Sequence, residues 1–179
     1  MATSGGFIPT GRFNVSKPGN TFLRAMELTE KERPRILFIM TASGDDTGYL
    51  TRSYQAVNEL NCDVEHLSLF TQPTGDIEKI ISRADLIWVG GGSVANLLAL
   101  WKLHGVDTHI RTAYERGAVL AGVSAGSICW HIGGPTDSFG PTLQVITNGL
   151  GLIHYANGVH YDSEPQRRPL LQHLVKEGT

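Results

Sequence analysis

The sequence predicts an α/β fold, a mainly parallel sheet with helices on both faces, in one domain over residues 1–179. Three observations predict it. Short continuous apolar runs alternate with helical patterns between Arg35 and Ala121. The runs favour β structure and are apolar without alternation, as strands covered on both faces are. Gly-rich or polar turns follow three of them, at the carboxyl ends where open parallel sheets hold ligands.

The elements follow in order. Residues 1–19 are rich in Gly, Pro, Ser and Asn and read as irregular. The stretch 20–27 predicts a short helix with Phe22, Leu23 and Met26 on one face. A strand over 35–40 ends in the turn Thr41-Ala42-Ser43-Gly44-Asp45-Asp46. Tyr49, Leu50, Tyr54, Val57 and Leu60 have helical spacing, and 64–70 reads as a second strand. Asp76 opens a helix through Ile77, Ile80 and Ile81. A third strand over 85–89 runs into Gly90-Gly91-Gly92-Ser93, and helices follow over 94–103 and 106–116. The fourth strand is 118–121. Beyond Trp130 the pattern changes: 131–140 is turn-rich, 143–146 and 150–155 read as strands, and 166–177 reads as a helix.

Composition narrows the function classes. Charged residues make up 18% and the net charge is −2, so no basic surface points to nucleic acid or an anionic membrane. No apolar run approaches the ~20 residues of a membrane span, and no secretory signal is visible at Met1–Gly6. Cys62 and Cys129 form neither a disulfide framework nor a metal spacing, which fits a reducing cytoplasm. No cofactor and no metal is expected.

The chemistry centres on Gly122-Val123-Ser124-Ala125-Gly126. An apolar strand, a G-x-S-x-G turn and a helix read as a nucleophile elbow, with the serine held in a strained conformation. The alternative is a small-residue turn without chemistry. A serine hydroxyl needs a base. Of the seven histidines, His66, His104, His109, His131 and His173 read as strand, cap or surface residues, with His131 at the end of the elbow helix. His154 reads as a core or edge residue. His160, between Asn157-Gly158-Val159 and the polar Tyr161-Asp162-Ser163-Glu164-Pro165, is the candidate base, with a structural role as the alternative.

Asp137, Asp162 and Glu164 are the acids in reach of that histidine along the chain; Asp137 also suits an ordinary Asx turn. Gly90–Ser93 offers backbone N–H groups to an oxyanion or a phosphate, without matching a nucleotide-binding pattern. Asp45 and Asp46 read as a helix-capping pair rather than metal ligands. Cys129 reads as a core thiol. Arg167 and Arg168 form either a carboxylate clamp or a solvated pair at a helix start.

Together these motifs resemble the peptidase E (S51) family of serine peptidases. The resemblance runs through Phe38–Asp45, Ile87–Leu98, Gly122–Ser127, Thr136–Gly140, Gly149–Leu152 and His160–Pro165, in order. It implies a class I glutamine-amidotransferase-like (flavodoxin-like) sandwich, Ser124 as nucleophile and His160 as base. It implies Gly91, Gly92 and Ala125 as the oxyanion site, with Asp137 or Glu164 as the acid. It also implies a small peptide substrate with N-terminal aspartate, its side chain held by an arginine in the region of Arg167 and Arg168. Relatives without that arginine have other substrates, including aspartate–arginine polymers. Two features depart from the resemblance. Residues 1–30 do not match the usual opening, and the chain stops sooner after the histidine loop than the resemblance implies. A C-terminal truncation would leave an apolar wall open and favour a homodimer. An α/β-hydrolase-type esterase and an inactive scaffold are the competing readings. The former lacks a His-Gly-Gly-Gly segment before the serine.

Overall fold

A computed structural model describes residues 1–178; Thr179, the last residue of the expected domain, lies outside the described residues. The amino-terminal part contains β1 (Ala2–Thr3), β2 (Phe7–Pro9), β3 (Ser16–Pro18) and α1 (Asn20–Glu27). Next come β4 (Arg35–Ile39), a 3₁₀ turn (Thr41–Ser43), α2 (Thr47–Val57), β5 (Asp63–Leu67) and α3 (Ile77–Ser82). β6 (Leu86–Val89), α4 (Val94–His104), α5 (Val106–Glu115), β7 (Val119–Val123) and α6 (Ala125–Ile128) follow. The chain continues through β8 (His131–Thr136), β9 (Gln144–Ile146), β10 (Ile153–Ala156) and α7 (Arg167–Glu177).

The main sheet is parallel throughout, in the order β1-β7-β6-β4-β5. Without β1, this is the 2-1-3-4 order of a flavodoxin-like doubly wound sheet. Its crevice opens between the carboxyl ends of β4 and β6, where the order reverses. The turns after β4 and β6 and the elbow after β7 therefore share one edge.

Side-chain alternation builds a core on each face. Ile36 and Phe38 of β4, with Leu86 and Trp88 of β6, face Phe22, Ala25 and Val57 of α1 and α2. Leu37, Ile39, Ile87 and Val89 face Ile81, Leu97, Trp101 and Ile110 of α3, α4 and α5. Each fully buried aliphatic or aromatic side chain contributes about 1.5–3 kcal/mol. Two-sided burial explains why these strands read as unbroken apolar runs. Among the described residues no helix is long and apolar enough to cross a membrane.

Two expectations are corrected. Residues 1–19 are not irregular throughout: β1 adds to the sheet beside β7, and β2 pairs with β3 as an antiparallel hairpin. Both form by backbone pairing of two or three residues, too short for any periodicity to show. Residues 131–140 are not all turn either. β8 occupies 131–136, pairing with β10 in parallel and with β9 antiparallel, so His131 begins a strand. Its glycines permit close packing: a methyl group on Gly133 would lie 1.8 Å from the Ile146 carbonyl oxygen, and one on Gly134 would lie 2.1 Å from that of Asn157. Glycines that read as turn formers are strand glycines crossed by neighbouring backbone.

The same constraint is tested at the elbow. A methyl group on Gly126 would stand 2.3 Å from the Val89 carbonyl oxygen. Gly126→Ala gains helix propensity of about 1 kcal/mol but forces apart β6 and α6. It is expected to lower unfolding free energy by about 1–3 kcal/mol in urea titrations; a neutral effect would show that this contact yields easily.

Candidate active site

Ser124 follows β7 with φ 53° and ψ −114°, a conformation unfavourable for any residue with a side chain. Close approach on both sides holds it there. A methyl group on Gly122 would fall 2.1 Å from the Gly126 carbonyl oxygen, so the strand and the first turn of α6 touch at these two glycines. The Ser124 N–H donates to the Thr3 carbonyl at 3.0 Å, and the Ser124 carbonyl accepts from the N–H groups of Ser127 and Ile128. The side chain is left half-buried at the sheet edge.

His160 arrives from the loop between β10 and α7. Its Nε2 lies 2.9 Å from Ser124 Oγ. With the ring proton on Nδ1, Nε2 accepts the serine hydroxyl. His160 also has positive φ, at 54°, and its N–H donates to Ser4 Oγ at 3.2 Å. The loop is pinned upstream as well: Asn157 donates through Nδ2 to Ser127 Oγ at 2.7 Å and through its backbone N–H to the Gly133 carbonyl at 2.9 Å. Val159 is buried beneath it.

The glycine turn after β6 completes the edge. The Gly90 N–H donates to the Ile39 carbonyl, continuing the ladder, and the Ser93 N–H donates to the Ala42 carbonyl at 2.8 Å. Gly92 has φ 136°, and a methyl group there would lie 2.2 Å from the Ala42 carbonyl oxygen. One on Gly91 would lie 3.4 Å from Ser124 Cβ, so Gly91 adjoins the serine. Among the described residues the N–H groups of Gly91, Gly92 and Ala125 donate to no backbone carbonyl. The edge thus presents amides without backbone acceptors beside a hydroxyl and an imidazole.

The acids and arginines take up different positions. The carboxylates of Asp137 and Glu164 both turn to Arg167, at 3.6 Å and 2.7 Å, and neither carboxylate is hydrogen-bonded to the His160 ring. Arg167 is 2% exposed and also donates to the Pro135 carbonyl at 2.9 Å. The expectation that Arg167 faces a substrate carboxylate is corrected: its guanidinium points inward and is occupied by protein acceptors. Arg168 is half-exposed, pairs with Asp162 and lies over the Tyr161 ring, with 4.8 Å to the centroid.

Asp46 caps α2 by accepting from the Tyr49 N–H, whereas Asp45 accepts from the N–H groups of Leu69 and Phe70. Among the described residues no group of three or more His, Cys, Asp or Glu is placed to hold a metal ion. Burial pushes the Cys129 thiol well above its ordinary pKa, as suits a core residue. Burial also lowers the pKa of His131, whose Nδ1 meets the Ser127 carbonyl at 3.0 Å; this histidine supports α6 from below. Thr3, Ser4 and Asn157 were not among the expected site residues. Thr3 and Ser4 lie in the stretch without periodicity, and Asn157 looks like any loop asparagine.

Comparison with known proteins gives the family and the fold. The family described as peptidase family S51 matches residues 11–179. The chain is 44% identical to the uncharacterized peptidase YgaJ of Bacillus subtilis (strain 168) over 82% of its own length. It spans 63% of YgaJ, less than two thirds of that relative. A crystal structure from Listeria monocytogenes EGD-e, named for peptidase E, superposes with a TM-score of 0.65 at 25% identity, covering 85% of this chain and 79% of that one. A peptidase from an acI-B1 Actinobacterium shares the fold, with a TM-score of 0.66 at 19% identity, over 83% of this chain and 66% of that one.

Arg167→Ala tests the inward role of the guanidinium. Glu164 and Asp137 are 45% and 61% exposed and regain water, so the lost ion pairs count for little. The Pro135 carbonyl, left without its donor, costs about 1–3 kcal/mol. Urea unfolding is expected to show a loss of that size. A change within ~0.5 kcal/mol, typical of surface sites, would remove Arg167 from the fold's supports.

Proposed function

The chain belongs to peptidase family S51, and on that premise we propose that it is a serine peptidase that cleaves small peptides carrying an N-terminal aspartate. One observation carries the reading: Ser124 Oγ stands 2.9 Å from His160 Nε2 while the Ser124 backbone holds a conformation that costs energy. Neither the distance nor the strain has a structural use of its own at a half-exposed sheet edge.

The chemistry follows from the geometry. His160 Nε2 takes the proton from Ser124 Oγ as the Oγ–carbon bond forms at the scissile carbonyl. The carbonyl electron pair moves onto oxygen, where the N–H groups of Gly91 and Ala125, with Gly92 beside them, receive it. Each such donor contributes about 3–4 kcal/mol to lowering the barrier. Collapse of the intermediate breaks the carbon–nitrogen bond, and the imidazolium returns its proton to the leaving amine. Water, deprotonated by His160, then releases the acyl group and restores the serine.

Asp137 and Glu164 are the proposed acids. In the resting arrangement they act on His160 through Arg167, which holds the turn that begins at the histidine. Glu164 belongs to that turn, its N–H donating to the His160 carbonyl at 3.0 Å. Arg168 is the arginine proposed to meet a substrate carboxylate, because its head is accessible and Asp162 is an exposed, replaceable partner. The proposed setting is the cytoplasm.

Ser124→Ala is expected to fold with unchanged melting temperature and to lose turnover on a panel of Asp-X dipeptides by ~10³-fold or more. Normal hydrolysis by that variant would remove Ser124 from the chemistry. Cleavage of simple esters with no action on any peptide would favour the esterase reading.

A further inference from the structure

The turn after β1 lies at the carboxyl edge of the main sheet, and its residues reach both members of the reactive pair. The Thr3 carbonyl accepts the Ser124 N–H at 3.0 Å. The next residue, Ser4, accepts the His160 N–H at its Oγ, at 3.2 Å. Two consecutive residues thus hold the backbone amides of the nucleophile and the base, whose side chains meet at 2.9 Å.

This turn is itself fixed at both ends. Before Ser4, β1 pairs with β7 through Ala2 and Thr3. Thr3 Oγ1 accepts from the Gly5 N–H at 3.0 Å and donates to the Gly5 carbonyl at 2.6 Å, so the chain folds back around Ser4. After it, Gly6 is pressed against Trp88: a methyl group on Gly6 would lie 2.1 Å from Cζ2 of the indole. The Gly6 carbonyl accepts from the Gly19 N–H at 2.9 Å. Ser4 stays exposed between these anchors, so backbone bonds rather than packing place its hydroxyl.

His160 requires such a partner. At φ 54° it holds a conformation that its side chain makes unfavourable, and a residue of that kind persists only where its surroundings over-determine it. Downstream, its carbonyl accepts from the N–H groups of Ser163 and Glu164. Upstream, Val159 is buried. The N–H is the remaining backbone group, and Ser4 Oγ is what it meets. Relaxation to an ordinary negative φ is a rotation of roughly 100° about the N–Cα bond. Such a rotation re-aims the Cα–Cβ bond and carries the imidazole away from Ser124.

We propose that Ser4 is a positioning residue of the reaction: its hydroxyl holds His160 in the left-handed conformation that keeps Nε2 on Ser124 Oγ. The inference rests on the serine peptidase reading and extends it to the opposite end of the chain. In this role Ser4 touches neither substrate nor reacting atoms and acts through the His160 N–H alone.

The test compares the full chain with Ser4→Ala and Ser4→Thr. Fluorophosphonate labelling of Ser124 is followed by intact mass, kcat and KM are measured on an Asp-X dipeptide, and melting curves report the fold. The unaltered protein is expected to label at Ser124. Ser4→Ala is expected to melt as the unaltered protein does and to label ~10-fold more slowly, within the ~10²-fold that a small displacement of a reacting group can cost. Its kcat is expected to fall to the same extent with KM nearly unchanged. Ser4→Thr keeps the hydroxyl and is expected to restore both rates. Full labelling rate and kcat in Ser4→Ala would overturn the role of Ser4 and leave the peptidase reading in place. A loss that Thr does not restore, or one matched by a fall in melting temperature, would also overturn it, because either marks a merely structural contact. Absence of labelling in the unaltered protein would overturn both readings.

Discussion

A serine does not rest at φ 53° unless its surroundings leave it no cheaper choice, and here the surroundings are backbone. Gly122 and Gly126 bring β7, the first turn of α6 and the Val89 carbonyl of β6 together at distances no Cβ could share. The Thr3 carbonyl then anchors the Ser124 N–H from the other side. Such a conformation costs on the order of 1–3 kcal/mol, a cost the parallel sheet offsets because β6 and β7 are buried on both faces. The rigidity of the elbow thus depends on the two hydrophobic cores, although no residue of either core need touch a substrate.

The repeating part of the fold was legible because burial on two faces imposes apolar runs on β4 and β6 and helical spacing on the segments between them. The elbow was legible for the opposite reason: a rare backbone conformation demands glycines at set positions, and their pattern survives in the sequence. β1, β2 and β8 were hidden. Two or three residues held by ladder bonds leave no periodicity, and Gly133 and Gly134 carry the same letters whether they turn a chain or admit a crossing one. Ser124 and His160 were singled out by local context, and the structure places them together. What local context could not supply was the direction of a long side chain. Arg167 and Arg168 are neighbours in sequence, yet one is internal beside the Pro135 carbonyl and the other lies over Tyr161. Which of two adjacent arginines turns inward depends on the phase of a helix relative to a strand about 30 residues earlier, as the contact of Arg167 with the 131–136 strand shows.

Arg167 also changes how the acidic residues around the histidine are to be understood. A guanidinium with its charge buried must be surrounded by acceptors, and Glu164, Asp137 and the Pro135 carbonyl fill that need. The result ties the turn after His160 to the end of β8, which is itself locked to β9 and β10 by its bare glycines. The imidazole is thereby positioned through a chain of backbone contacts that begins in the smaller sheet. The loop that leaves the sheet of β8, β9 and β10 meets the elbow of the main sheet through the hydrogen bond between Ser124 and His160.

The anchoring of His160 by Ser4 spans 156 residues of sequence. Closing a loop of that length costs conformational entropy that local contacts do not. The backbone position of the histidine therefore draws on the segment just after β1 as well as on its own loop, so that a substitution at Ser4 reaches a residue 156 positions away.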